Sequence, residues 1–167
     1  RKTAASRIKT YVGSGLAEAD QWRLTTSVSG TSWDFSSNME RADHPGFSVL
    51  GTGMSESSGV FTYPSTGYWL VIFNQFVTAN TDTRSIQSRI LTTHNNSDYV
   101  THYTTGGVVQ AESNFTGDAQ TNTIIQDVTN VSNDKVKFAG GSTQTVTVEG
   151  SSSANTTYMT FIKLGDT

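Results

Sequence analysis

The most constraining feature of the sequence is segment 59–77, GVFTYPSTGYWLVIFNQFV, in which two apolar runs flank a Pro-Ser-Thr-Gly break. Pro64 lacks an amide donor and Gly67 tolerates positive φ, so the break allows the chain to reverse. The pattern predicts a hairpin that leads into the most buried strand. From Tyr68 to Phe73 both faces of that strand are apolar, so each face needs a cover. We expect the second cover to be another subunit.

The composition favours β structure with many turns. Hydrophobic residues make up 34% of the 167 residues and charged residues only 15%, while Thr, Ser, Gly and Asn are abundant. This length suits one domain. The net charge of -3 gives no case for nucleic-acid binding. The longest apolar run is far below the ~20 residues that span a bilayer, so membrane insertion is not expected.

Apolar alternation and turn signals predict about ten short strands and no convincing helix. Segment 38–46 reads as a polar loop, and 156–164 reads as a strand that is apolar on both faces. The other predicted strands include 20–27, 47–50, 84–92, 99–104, 108–115, 121–128, 135–139 and 146–148. A two-sheet sandwich or jelly roll is the economical fold, with an up-and-down ligand barrel as the alternative.

The N-terminal segment 1–19 differs from the rest of the chain. It is basic at its start and contains the Gly13-Ser14-Gly15 break; its cations are Arg1, Lys2, Arg7 and Lys9. We interpret 1–19 as an attachment arm and 20–167 as the domain. A solvated, weakly ordered terminus is the simpler alternative.

The segment 94–103, HNNSDYVTHY, concentrates side chains that hydrogen-bond to and stack on polyols. The candidate receptor or glycan contacts are His94, Asn95, Asn96, Tyr99, His102 and Tyr103. A solvated hairpin is the alternative. The tryptophans fit packing better than sugar stacking, because tryptophan within a strand pattern is usually core or interface.

Nothing in the sequence indicates catalysis, a cofactor or a metal site. The absence of cysteine excludes disulfides, thiolate zinc sites and a cysteine nucleophile. The three histidines lack zinc-ligand spacing, and the loop aspartates lack a calcium-binding ladder of oxygens. No paired carboxylates mark the strand ends, so we expect a protein that is not an enzyme.

Two blocks resemble the globular heads of complement component 1q. GVFTYP (59–64) followed by GYWLVIF (67–73) is similar to one family motif, and TTYMTFIKL (156–164) is similar to the closing strand. The segment 132–135 departs from the family pattern before the eighth strand. The resemblance implies an all-β, ten-stranded, two-sheet jelly-roll sandwich related to tumour necrosis factor, which assembles as a trimer through one sheet.

Three further segments, ADQWRLT (19–25), GTGMSESSG (51–59) and MTFIKLGDT (159–167), carry a narrower resemblance. They are similar to virion structural proteins of marine tailed phages. It implies a trimeric fibre, spike or decoration protein on the outer surface of a virion, joined to other virion proteins by the arm and exposed to a host cell-surface glycan or protein. The alternative is a secreted or matrix-associated jelly-roll module, and hence an extracellular location.

Both apolar strands are expected to serve the core with one face and sister subunits with the other. The candidate interface or core residues are Tyr68, Trp69, Leu70, Val71, Ile72, Phe73, Tyr158, Phe161 and Ile162. Burying a large aromatic side chain contributes roughly 1.5–3 kcal/mol, so a few per subunit favour an obligate oligomer.

Overall fold

The computed structural model of the chain describes residues 15–110 and 116–167, and within them eleven β-strands and no helix. In chain order the strands are β1 (Ala19–Leu24), β2 (Val28–Asp34), β3 (Met39–Arg41), β4 (Ser55–Ser57), β5 (Val60–Thr62), β6 (Gly67–Ala79), β7 (Thr83–Thr93), β8 (Val100–Val109), β9 (Thr116–Val128), β10 (Lys135–Val148) and β11 (Tyr158–Gly165). These residues accordingly contain no helix that could cross a membrane. The all-β prediction is confirmed.

The strands form two layers in which every pairing is antiparallel. The first layer has the order β3-β1-β11-β6-β9. In the second layer β10 lies between β7 on one side and β5 and β2 on the other, with β4 beyond β5 and β8 beyond β7. Because neighbours in a layer are mostly distant in sequence, the chain crosses between layers repeatedly, as in the predicted jelly roll.

Aromatic side chains from both layers meet in the core. The Phe61 ring of β5 lies 5.2 Å from that of Phe161 of β11, and Phe73 of β6 lies 5.0 Å from Phe138 of β10. Strand periodicity explains these contacts, because alternate side chains point to the same face. Each of these four side chains is at most 1% exposed, so the two layers are joined by a dry aromatic cluster.

The prediction of a hairpin in 59–77 is wrong. β5 pairs with β4 and β10, whereas β6 pairs with β9, β10 and β11. The Pro-Ser-Thr-Gly segment therefore carries the chain from the second layer to the first. Gly67 has φ of +137°, and a Cβ there would lie 2.4 Å from the Gly165 carbonyl oxygen. The Pro-Ser-Thr-Gly residues allow the chain to bend here, but local chemistry does not determine which strands pair.

Two glycine pairs lie inside strands and do not end them. Gly106-Gly107 lies within β8, and Gly140-Gly141 lies within β10, which runs unbroken where two strands, 135–139 and 146–148, were predicted. A Cβ on Gly140 would lie 2.4 Å from atoms of the Trp33 indole. Glycine is present there because another side chain approaches the backbone closely.

Three smaller predictions also change. The predicted polar loop 38–46 contains β3, and of the predicted strand 47–50 only Leu50 pairs, in an isolated bridge to Ala19. Of the predicted strand 108–115, the first two residues belong to β8, and residues 111–115 lie outside the described part. Short strands held mainly by distant partners give little local signal, which explains these differences.

Candidate assembly surface and loop site

The outward side of the first layer carries a patch of apolar side chains, which we name the assembly face and define as Tyr68, Leu70, Ile72, Ile125 and Ile162. In β6 the buried positions alternate with more accessible ones. Trp69, Val71 and Phe73 are fully buried in the core, so Tyr68, Leu70 and Ile72 point away from it. Both faces of this strand are apolar, as predicted.

Strand register makes the assembly face continuous. Leu70 lies directly between Ile162 of β11 and Ile125 of β9, and Ala19 of β1 extends this row. Side chains opposite one another in antiparallel strands have Cβ atoms about 4.5–5.5 Å apart, which is contact distance for Leu and Ile. Ile125 is 63% exposed and Tyr68 is 43% exposed. Contiguous exposed apolar patches of this kind commonly mark interaction surfaces.

The same sheet face becomes polar along the strands. The row after Leu70 consists of Gln21, Thr160, Ile72 and Thr123, and the next of Arg23, Tyr158, Asn74 and Thr121. Arg23 is only 1% exposed, since it donates to Glu40 Oε1 at 2.7 Å and to the Ser152 carbonyl at 2.6 Å. A loop of the chain itself covers Arg23 through Ser152, whereas Thr121 and Thr123 of β9 are exposed, so the two ends of this face differ in polarity and not in access.

The predicted interface or core residues divide between two environments. Trp69, Val71, Phe73 and Phe161 lie in the core, whereas the five other candidates, Tyr68, Leu70, Ile72, Tyr158 and Ile162, lie on the outward side. The predicted core residues and the predicted interface residues are therefore two different sets of side chains, which point to opposite faces of the same strands. Ile125 was not among the candidates, because only the register of β9 against β6 places it beside Leu70.

Of the predicted contact segment 94–103, residues 94–99 form the turn between β7 and β8, and residues 100–103 belong to β8. The Asn95 Oδ1 atom accepts hydrogen bonds from the Ser97 and Asp98 amides, and its Nδ2 donates to Asp98 Oδ2 at 2.8 Å. Asn96 adopts φ of +58°, and its amide donates to the Asn133 carbonyl. The polar groups of Asn95 are thus used to build the turn, as Asx turns commonly do.

His94 and Tyr99 are held by Asp134, just before β10, and by Lys137 within β10. Nδ1 of His94 lies 2.7 Å from Asp134 Oδ1, and the Lys137 ammonium lies 4.0 Å from the centre of the Tyr99 ring. Burial raises the pKa of Tyr99. Burial opposes ionisation of Asp134, but hydrogen bonds from the Asn130 amide, His94 and the Thr129 amide outweigh it and lower the pKa of this carboxyl. The contact of His94 with Asp134 and that of Tyr99 with Lys137 therefore fix the turn against β10.

Several predicted site residues fall outside the described part of the structure. These are the side chains of His102 and Tyr103, and the arm residues Arg1, Lys2, Arg7 and Lys9. The described chain begins at residue 15. Glu18 already contacts the domain there, because its carboxylate accepts from the Thr52 and Gly53 amides.

Comparison with known proteins identifies the fold. No protein-family model matches the sequence, and no curated protein matches it. Solved structures do match: Eiger TNF from S. frugiperda superposes with a TM-score of 0.64 at 14% identity, covering 89% of this chain and 93% of that chain. Murine APRIL superposes with a TM-score of 0.57 at 11% identity, covering 88% of this chain and 98% of that one.

The fold is a tumour-necrosis-factor-like jelly roll. Nearly the whole of each matched chain takes part, so the likeness extends to the complete sandwich. The predicted jelly-roll resemblance is confirmed at this level. The phage resemblance has no counterpart among these matches and stays a prediction.

Proposed function

We propose that this chain is a homotrimeric structural protein displayed on the outer surface of a tailed-phage particle. The assembly face carries the proposal for self-association, because it places a hydrophobic row on a sheet that its own chain leaves open. Covering one Leu or Ile contributes roughly 1.5–3 kcal/mol. Three-fold association would cover this row in each subunit and offset the entropic cost of assembly.

The proposed location on a virion rests on the three segments that resemble phage structural proteins, and the fold brings these segments together. Segment 19–25 contains β1, and 159–167 contains most of β11, with which β1 pairs. Segment 51–59 lies beside them, because the Met54 amide donates to Asp20 Oδ2 at 2.8 Å. The three segments are thus in contact with one another, with β1 and β11 in the first layer and β4 of segment 51–59 in the second.

In this arrangement the arm, residues 1–19, joins the domain to other virion proteins, and the loops of the sandwich meet the host cell surface. The turn after β7 is one candidate for contact with a host glycan or protein, through His94 and Tyr99. We assign no catalytic role and no cofactor to the protein.

Two experiments test the two halves of the proposal. Sedimentation equilibrium should give three times the 18.0 kDa chain mass, and a monomer at micromolar concentration would refute the trimer. Gold-labelled antibodies against residues 20–167 should decorate a regular position on intact phage particles in electron micrographs. Labelling confined to lysed-cell debris would refute the virion location and leave the trimer unaffected.

A secreted or matrix-associated binding module is the second candidate. It is favoured by the jelly-roll match to murine APRIL and to Eiger TNF. A glycan array and a cell-surface pull-down with the trimer would separate the candidates. Saturable binding that Tyr99→Ala abolishes, together with no label on particles, would favour the second.

A further inference from the structure

A hollow of about 670 Å³ opens where β10 ends against β6. This volume lies in the range of about 300–1,000 Å³ that is usual for small-molecule sites. Its lining combines one aromatic ring, that of Phe76, with one carboxylate, that of Glu149, and several hydroxyl and amide groups, including Thr78, Asn80 and Thr147. Glu149 is the one charged side chain among the described residues that line it.

The Glu149 carboxylate is held in a fixed position by hydroxyl groups. Oε1 accepts from the Thr78 hydroxyl at 2.6 Å, and Oε2 accepts from the Ser27 hydroxyl at 2.9 Å. No ion pair joins it to a cation within the described part of the chain. Each carboxylate oxygen can accept a further hydrogen bond. The group is therefore a preorganised hydrogen-bond acceptor without a cationic partner among the described residues.

The Phe76 side chain lines the same hollow as this carboxylate. The Glu149 amide donates to the Phe76 carbonyl at 2.9 Å, so the two backbones are adjacent. A Cβ on Gly117 would lie 2.6 Å from Phe76 Cζ, so the ring rests on a glycine backbone. Unlike Phe61 and Phe73, Phe76 makes no ring contact with another aromatic residue in the described structure. It is half-buried, and part of it borders the hollow.

We propose that this hollow binds a neutral saccharide unit. The apolar C–H face of a pyranose would lie against the Phe76 ring, and two of its hydroxyls would donate to Glu149, as charge-assisted hydrogen bonds. The carboxylate repels acidic sugars, and no lysine or arginine lines the hollow to attract them. A metal ion fits less well, because the described residues contain no group of three or more acidic, histidine or cysteine side chains.

The site is separate from the assembly face and from the turn after β7. Phe76 follows Ile72, the member of the assembly face that lies next to it on the same side of β6, by four positions, which is roughly 13 Å along an extended strand. The inference requires neither a virion location nor a trimer, so its failure and the failure of the proposed function have different readouts. The outcome of the sugar-binding test does not depend on the mass found by sedimentation, and the sedimentation mass does not depend on whether a sugar binds.

The test is saturation-transfer-difference NMR on the full chain, with three probes: the methyl α-glycosides of glucose, galactose and mannose. We expect transfer to the ring C–H protons of at least one of them and none to N-acetylneuraminic acid. Phe76→Leu should weaken binding about tenfold, because it removes the flat aromatic surface. Glu149→Gln should weaken it by about tenfold through loss of the charge-assisted bonds.

Two variants at the opposite end of the same sheet face serve as matched controls. Tyr68→Leu removes an exposed aromatic ring, and Asp127→Asn removes a carboxylate from the residue paired with it. Both should bind the methyl glycosides as the unaltered chain does. If Phe76→Leu fails to fold, amide chemical-shift mapping on the unaltered chain replaces it, and the shifts should centre on Thr78, Thr147 and Gly150.

The proposal is overturned if none of the three glycosides receives saturation. It is equally overturned if Phe76→Leu and Glu149→Gln bind as well as the controls, or if the amide shifts centre on residues 94–99. Shifts at Thr78 and Thr147 on addition of calcium, without any response to the glycosides, would assign the hollow to a cation instead.

Discussion

The two faces of β6 should respond differently to the same substitution. Leu70 points outward between Ile162 and Ile125, and Val71 is adjacent in sequence but fully buried in the core. Replacing each with serine places the same polar side chain on opposite sides of one strand. Leu70→Ser and Val71→Ser are therefore matched controls for each other.

Val71→Ser should unfold the subunit. It removes a fully buried side chain whose burial contributes roughly 1.5–3 kcal/mol. It also buries a hydroxyl without a partner, which costs about 1–3 kcal/mol. The sum is a large fraction of the about 5–15 kcal/mol that stabilises a typical domain. The variant should therefore melt far below the unaltered chain.

Leu70→Ser should dissociate the assembly and leave the subunit folded. Leu70 is partly buried within its own subunit, so assembly covers only the part of the side chain that is still exposed, and the core face of β6 is unchanged by the substitution. That part contributes at most about half of the 1.5–3 kcal/mol of full burial, so three copies give at most roughly 2–4 kcal/mol in the free energy of association. Ile125→Ser should act in the same way, since Ile125 is 63% exposed and lies beside Leu70.

Sedimentation velocity and near-ultraviolet circular dichroism separate the two outcomes. We expect a folded monomer with an intact aromatic spectrum for Leu70→Ser, and loss of that spectrum for Val71→Ser. The reasoning is refuted if Leu70→Ser still sediments as a trimer, or if both variants unfold together with no folded monomer at any concentration.

Two further predictions concern the loops. Hydrogen bonds lower the pKa of Asp134 in the folded state, so its stabilising contribution is present above the unfolded pKa of about 3.9 and is lost as the pH falls through the folded value. Asp134→Asn should cost about 1.5–3 kcal/mol at neutral pH and progressively less in acid; a constant difference in urea titrations would contradict this. Gly59 and Gly46 both have positive φ, but only at Gly59 would a Cβ collide, at 2.5 Å from the Phe35 carbonyl oxygen. Gly59→Ala should therefore destabilise the chain by about 1–3 kcal/mol more than Gly46→Ala, and equal urea midpoints would count against the clash.

Alternation of residue types was sufficient to predict the all-β fold class and the two apolar faces of β6. Trp69, Val71 and Phe73 repeat at the strand period, and so do Tyr68, Leu70 and Ile72. Side-chain direction in a strand depends only on position parity. Two apolar faces on one strand can therefore be recognised without knowing any of its partners.

Strand pairing was beyond reach of the same reasoning. The hairpin predicted at 59–77 is a crossing between layers, and the glycines at 140–141 lie inside a strand. Glycine and proline in a sequence indicate that the backbone can bend there, or that another group packs closely against it. They do not indicate which distant segment supplies that group. The contact between His94 and Asp134 could not be predicted from the sequence either, because the two residues are 40 positions apart.

By itself, then, the sequence determined an all-β domain with an outward apolar surface on its central strand. Only the tertiary structure placed Ile125 and Ile162 on either side of Leu70, and brought Glu149 beside Phe76. The physical reason is that side-chain direction is a local property of the backbone. Strand register is set by the joint packing of residues that are far apart in the chain.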